Sequence, residues 1–193
     1  MLRRLYDGTM AMASGRAAEP TLAGVAFVES SFFPIPPDLL LIPMVLAEKA
    51  KAWRFAAVAT VASVIGGVFG YFIGAVLFEQ IARPLLDFYG YADKFESFAD
   101  WFNAWGIWVV LVAGLTPFPY KVITIASGAT GLGLPVFILT SIAARGIRFF
   151  IVAGLLYFVG PPIRTFIEKR LGLVFTVFMV LLIGGFVALR YLH

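Results

Sequence analysis

Residues 29–38 read ESSFFPIPPD, so Glu29 and Asp38 bracket Pro34, Pro36 and Pro37 inside an apolar block that runs from 21 to 47. Proline removes a backbone donor and clashes with the preceding turn, so this block does not form one continuous helix, and Pro43 follows closely. Broken backbone at membrane depth survives only when it is buried in protein or lines a wet cavity. A hairpin that enters and leaves on the same face meets that condition. The flanking charges agree with it: Arg3, Arg4 and Arg16 precede the block, and Lys49, Lys51 and Arg54 follow it. Positive residues favour the cytoplasmic side, so both flanks are expected there, which a single crossing does not allow.

The rest of the chain supports a membrane setting. Of its 193 residues, 61% are hydrophobic and 13% charged, and the mean hydropathy is +0.94. That is the composition of an integral membrane protein, with no room for a soluble catalytic domain. Segment 53–78 is long enough to span, and its Gly66, Gly70 and Gly74 share one helix face suited to close packing. Segment 171–190 reads as a plain C-terminal transmembrane helix. Segment 135–160 is also long enough, but carries Arg145 and Arg148 near its middle, where charge is costly and marks function by default. Residues 1–19 suggest a short interfacial helix.

Between 79 and 105, Glu79, Asp87, Asp93, Glu96 and Asp100 outnumber Arg83 and Lys94, which places this connection outside. Phe95, Phe98, Phe102 and Trp105 recur there at helical spacing, as in an amphipathic helix lying at the interface.

The second half repeats the first. Segment 106–134 is apolar and broken at its centre by TPFPYK, residues 116–121, so Pro117 and Pro119 answer Pro34 and Pro36 at a constant offset. Each half continues into a spanning helix, one ending YFIG at 71–74 and the other YFVG at 157–160. If the first hairpin enters from the cytoplasm and one helix crosses between the two, the second hairpin enters from outside. The expected fold is therefore all-α and integral to the membrane: one domain over 1–193, built as an inverted repeat of re-entrant hairpin plus transmembrane helix. The repeats cover 20–78 and 106–160, the connection 79–105 joins them, and a C-terminal transmembrane helix and amphipathic interfacial helices complete the chain. The matched positions Asp38 and Lys121 carry opposite charges and are expected to pair.

These residues resemble the DedA family of bacterial inner-membrane proteins, also called SNARE-associated or VTT-domain proteins, and in particular its YqaA-like branch. The likeness rests on ESSFFPIPPD, the glycine-rich helix at 66–74 and TPFPYK with the ASG at 126–128. It covers about residues 20–165. The resemblance implies two inverted re-entrant hairpins, a multi-pass place in the bacterial inner membrane with the N-terminus cytoplasmic, and a role in envelope homeostasis. It further implies movement of lipids such as undecaprenyl phosphate or phospholipid, with protons as coupling partners, and puts the family's hairpin acids at Glu29 and Asp38. One departure stands out: the better-studied branch carries arginines around its second proline motif, where this chain has Thr116 and, nearby, Lys121.

On that footing Glu29 and Asp38 are proton-coupling candidates, since a carboxylate in a low-dielectric setting holds its proton nearer neutral pH. Lys121, Arg145 and Arg148 are candidates for an anionic head group or an ion pair. The prolines at 34, 36, 37, 117 and 119 are expected to shape the hairpins rather than touch substrate. The function expected is a flippase- or scramblase-like transporter of anionic lipid head groups; the alternatives are a proton-coupled carrier of a small solute or ion and a non-transport scaffold. The chain has no cysteine and its sole histidine is His193, so enzymatic, metal and cofactor roles are not expected. The net charge of +4 is scattered between apolar segments, against a nucleic-acid partner. A homo-oligomer is left open.

Overall fold

The computed structural model describes residues 17–33, 36–116 and 119–160. The expected N-terminal interfacial helix and the expected C-terminal transmembrane helix lie outside the described residues. Those described are helical, without strands. Helix α1 covers Ala18–Ser31 and α2 covers Asp38–Ala47. A single 3₁₀ turn at Lys49–Lys51 leads into α3, Ala52–Leu77. A π-turn at Phe78–Ala82 carries the axis into α4, Arg83–Tyr89. Then come α5, Ala92–Leu115, α6, Tyr120–Ala129, and α7, Leu134–Gly160.

Among the described residues, three stretches are long and apolar enough to cross a membrane: Lys49–Tyr89, Ala92–Leu115 and Leu134–Gly160. At 1.5 Å per residue, α1 and α2 are about 21 and 15 Å long, short of the roughly 30 Å hydrocarbon layer.

The breaks between helices fall at the proline motifs, for a local reason. Pro37 stands at the N-cap of α2, and its carbonyl accepts from the amides of Leu40 and Leu41. Pro119 stands at the N-cap of α6 and accepts from Val122. Proline is tolerated there because the first amides of a helix have no partner inside it.

Two boundaries differ from expectation. The helix at 53–78 continues to Tyr89, because the π-turn lies just before Pro84 and the chain stops only at Gly90, whose φ of 68° is left-handed. The aromatic helix does not end at 105 but runs unbroken to Leu115. Gly106 stays helical because it seats the Leu132 side chain, and Asn103 beside it donates to the Thr130 carbonyl at 2.8 Å.

Packing follows from α3. Helix α1 runs alongside it in the same direction, with Glu19 bridged to Arg54 at 2.7 Å at one end and Phe27 on Gly66 further along. Helix α6 takes over at the far half of α3: Thr124 meets Gly70, Ile125 meets Gly74, and Gly128 sits on Tyr71. Helix α7 runs the opposite way, from Phe137 beside Gly67 through Gly146 beside Thr60 to Gly154 beside Trp53. In lipid there is little hydrophobic gain from helix contact, so close approach over small residues is what holds such a bundle.

Two apolar cores result. One gathers Leu22, Leu41, Met44, Phe55, Phe149 and Ala153; the other gathers Phe102, Val110, Tyr120, Ile123, Leu132 and Phe137. Large apolar side chains such as Phe69, Phe72, Trp108, Leu139, Ile151 and Leu155 are exposed around the outside, as lipid-facing positions are.

Candidate functional site

The layer between the two cores is polar, and α1, α3 and α7 build it. Glu29 lies in the last turn of α1, two residues before its end, and Arg145 lies in the middle of α7 with only 1% of its surface exposed. Arg145 Nη2 donates to Glu29 Oε2 at 2.7 Å and Nε donates to Ser63 Oγ at 2.6 Å. The Ser63 and Ser30 hydroxyls meet at 2.6 Å, and Ser30 donates to Glu29 at 3.1 Å. Because Ser30 gives its single proton to Glu29, Ser63 is the donor in the bond between the two hydroxyls. Arg145 thus reaches Glu29 twice, directly and through the Ser63–Ser30 chain, and the four side chains close a ring in which Arg145 donates at both ends and Glu29 accepts at both. The Tyr120 and Phe149 rings lie 4.9 and 4.7 Å from the guanidinium carbon, which adds cation–π attraction in a desolvated place. Tyr120 in turn donates to Ser141.

One turn further along α7, Arg148 serves the two helix breaks. One of its amino groups donates to Asp38, the first residue of α2, and the other to the Thr116 carbonyl at the end of α5, at 2.6 Å. Asp38 Oδ1 is buried with no hydrogen-bond partner among the described residues. The pair is shielded but not sealed: Arg148 and Asp38 keep 16% and 20% of their side-chain surface. Lys121, the second residue of α6, reaches the Phe32 carbonyl at 3.5 Å, and Thr124 donates to the Ser30 carbonyl at 3.0 Å. The end of α1 and the start of α6 are thus in direct contact.

The structure brings Glu29, Asp38, Arg145 and Arg148 together in two acid–base pairs. It does not pair Asp38 with Lys121. Asp38 opens α2, which leads toward α7, whereas Lys121 opens α6, which packs on α3 and the end of α1. Positions matched between two sequence motifs need not touch. Pro36, Pro37 and Pro119 border the breaks; Pro34 and Pro117 lie outside the described residues. Ser127 bonds the Ile123 carbonyl of its own helix, which is local back-bonding, whereas Ser31 reaches both the Phe27 carbonyl of α1 and, at 3.0 Å, the Gly66 carbonyl of α3.

Ser63 and Tyr120 were not singled out from sequence. Ser63 shares the small-residue face of α3, seven positions before Gly70, so its spacing announced packing and concealed a hydroxyl. Tyr120 sits within the TPFPYK motif, where the lysine drew the attention. Among the described residues no group of histidine, aspartate and glutamate is arranged to hold a metal.

With this geometry in view, the comparisons with known proteins are informative. The VTT domain family model matches residues 35–158. An uncharacterized protein of Haemophilus influenzae is 37% identical over 170 residues, 88% of each chain. A homologue from Histophilus somni, also uncharacterized, is 40% identical over 151 residues, 78% of each. A more distant uncharacterized protein, from the archaeon Methanocaldococcus jannaschii, is 26% identical over 125 residues, 64% of this chain and 74% of that one. No solved structure matches the chain.

Proposed function

The chain belongs to the VTT-domain family, known also as DedA, and from that premise we propose that it moves lipids with anionic head groups across the membrane in which it sits. The observation that carries this reading is the layer of paired charges where the two helix breaks meet, between two apolar cores. Charge at that depth is costly to hold and is kept where it acts on something.

In this reading α1 with α2, and the end of α5 with α6, are re-entrant hairpins of opposite orientation, each followed by a crossing helix. Support comes from the contacts along α3. Glu19 and Arg54 mark one end, Gly128 and Tyr71 lie toward the other, and Ser30 meets Thr124 between them. Two hairpins ending on the same layer place one site within reach of both faces, as alternating access needs. The membrane is the bacterial inner one and the start of α1 is cytoplasmic, in keeping with the basic residues around it.

Glu29 and Asp38 act as proton carriers in this scheme, and undecaprenyl phosphate and phospholipids are the candidate cargo. The test uses purified full-length chain in liposomes, following transbilayer movement of labelled phospholipid and of undecaprenyl phosphate with and without a pH gradient. Movement of at least one of them is expected, with loss in Glu29→Gln and in Asp38→Asn at unchanged expression. If neither lipid moves, the proposal fails. Proton flux on adding a soluble solute would point instead to a solute carrier, and normal transport in both variants would remove the two acids from the mechanism.

A further inference from the structure

Three cations and two carboxylates meet at the helix breaks, and they are not equally engaged. Arg145 is held on its Nε–Nη2 edge by Ser63 and Glu29, with aromatic rings against the guanidinium. Arg148 is held by Asp38 and by the Thr116 carbonyl. Lys121 forms no ion pair among the described residues; its ammonium has a single long contact, with the Phe32 carbonyl at 3.5 Å. With Glu29 and Asp38 ionised and paired, the cluster therefore carries one net positive charge among the described residues, located on Lys121.

We infer that Lys121 is the head-group ligand of the site, that Arg145 and Arg148 are positioning residues, and that the preferred cargo is a lipid with a singly charged phosphodiester head group. This deepens the lipid-moving function proposed above and rests on it. A phosphodiester brings one negative charge, which Lys121 balances while both acid–base pairs stay closed. A phosphomonoester in its doubly charged form exceeds that balance, and a zwitterionic head group already carries its own cation.

Recruiting either arginine to the cargo would strand a carboxylate as an uncompensated buried charge, which is far more costly than leaving the pair intact. Lysine suits the task for a second reason: its ammonium has three donors on a flexible stem and re-aims without a fixed fork geometry. The apolar neighbours select a lipid over a soluble diester. Phe32, Phe33, Leu39 and Val122 are all exposed around the breaks, so the flank beside Lys121 suits acyl chains better than water.

The experiment places the purified full chain in liposomes carrying fluorescent phosphatidylglycerol, phosphatidylcholine or phosphatidic acid, and reads transbilayer movement by quenching from outside. Both lipids offer Lys121 a phosphodiester, and only the net charge of the head group separates them; an unbalanced charge at a shielded site accounts for tenfold or more, so phosphatidylglycerol is expected to move roughly tenfold faster than phosphatidylcholine. That ratio falls to about one in Lys121→Gln, because the charge that distinguishes the two lipids is gone, and recovers in Lys121→Arg. Should the glutamine variant fail to reconstitute, Lys121→Met keeps the apolar stem and is expected to give the same ratio. Excess soluble glycerophosphoglycerol is expected not to slow phosphatidylglycerol.

Equal movement of the two lipids by the unaltered protein overturns the charge assignment and leaves lipid movement standing. A ratio kept in both neutral variants removes Lys121 as the ligand. Faster movement of phosphatidic acid than of phosphatidylglycerol overturns the single charge, and competition by the soluble diester overturns the lipid source. If no lipid moves at all, this inference falls together with the function it rests on.

Discussion

Arg148 spans the gap between the two helix breaks, with Asp38 on one side and the Thr116 carbonyl on the other. Removing one member of such a pair leaves the other as a shielded charge without a counterion, which costs about 3–5 kcal/mol where burial is deep. With 16% and 20% of the two side chains still exposed, a smaller effect is expected here. A double-mutant cycle isolates it. Asp38→Asn and Arg148→Gln are expected to couple by about 1–3 kcal/mol, as side chains in one network do, whereas Asp38→Asn and Lys121→Gln should be additive to within about 0.5 kcal/mol. Melting in detergent, read by intrinsic fluorescence, supplies both cycles, and coupling confined to the Lys121 cycle would contradict the observed pairing. The five charged residues were legible in the sequence because charge in an apolar run is conspicuous. Their pairing was not, since a partner depends on helix phase and depth. The symmetry of the two motifs pointed to Lys121, while a residue one turn past Arg145 made the contact.

At the scale of elements, α3 is the post on which α1 and α6 rest, and its glycines explain how. A Cβ at Gly66 would lie 2.2 Å from the Phe27 carbonyl oxygen, and one at Gly74 would lie 1.9 Å from that of Ile125. From the other side, a Cβ at Gly128 would lie 1.8 Å from the Tyr71 carbonyl oxygen. These neighbours are backbone and cannot rotate away, so an added methyl moves a helix. Gly74→Ala and Gly128→Ala are each expected to destabilise by about 1–3 kcal/mol or more. Gly24, in α1, has nothing within 4 Å of such a Cβ, and Gly24→Ala is expected to be neutral or to stabilise by about 0.5–1 kcal/mol through helix propensity. Equal melting temperatures for Gly74→Ala and Gly24→Ala would show that close approach does not hold α6 to α3. The four-residue glycine period was visible from sequence. Which helices it serves was not, because α1 and α6 share one face of α3, each along half its length. The unbroken run of α5 through 105 was equally hidden, since the seat of Gly106 is a leucine 26 positions away.

For the molecule as a whole, the proposed opposite orientation of two hairpins is the feature most exposed to test, and the absence of cysteine from the sequence makes the test free of background. The proline clusters and the basic flanks together suggested hairpins, because they reported backbone breaks and side preference separately. Sidedness is read by chemistry on the membrane. Single cysteines at Ala17 and Ala50 lie at exposed positions before α1 and after α2, and Glu96→Cys lies at an exposed position in α5. With a membrane-impermeant maleimide on sealed vesicles of known orientation, Ala17→Cys and Ala50→Cys are expected to label from the same, cytoplasmic face. Glu96→Cys and Gly131→Cys should label only from the opposite face. Phe33→Cys, beside the first break, should be slow from both sides, because the hydrocarbon layer excludes the charged reagent. Labelling of Ala17→Cys and Ala50→Cys from opposite faces would mean that α1 and α2 together cross the membrane. The two breaks would then no longer approach a shared layer from opposite sides, and a site reached in turn from each face would lose its structural basis.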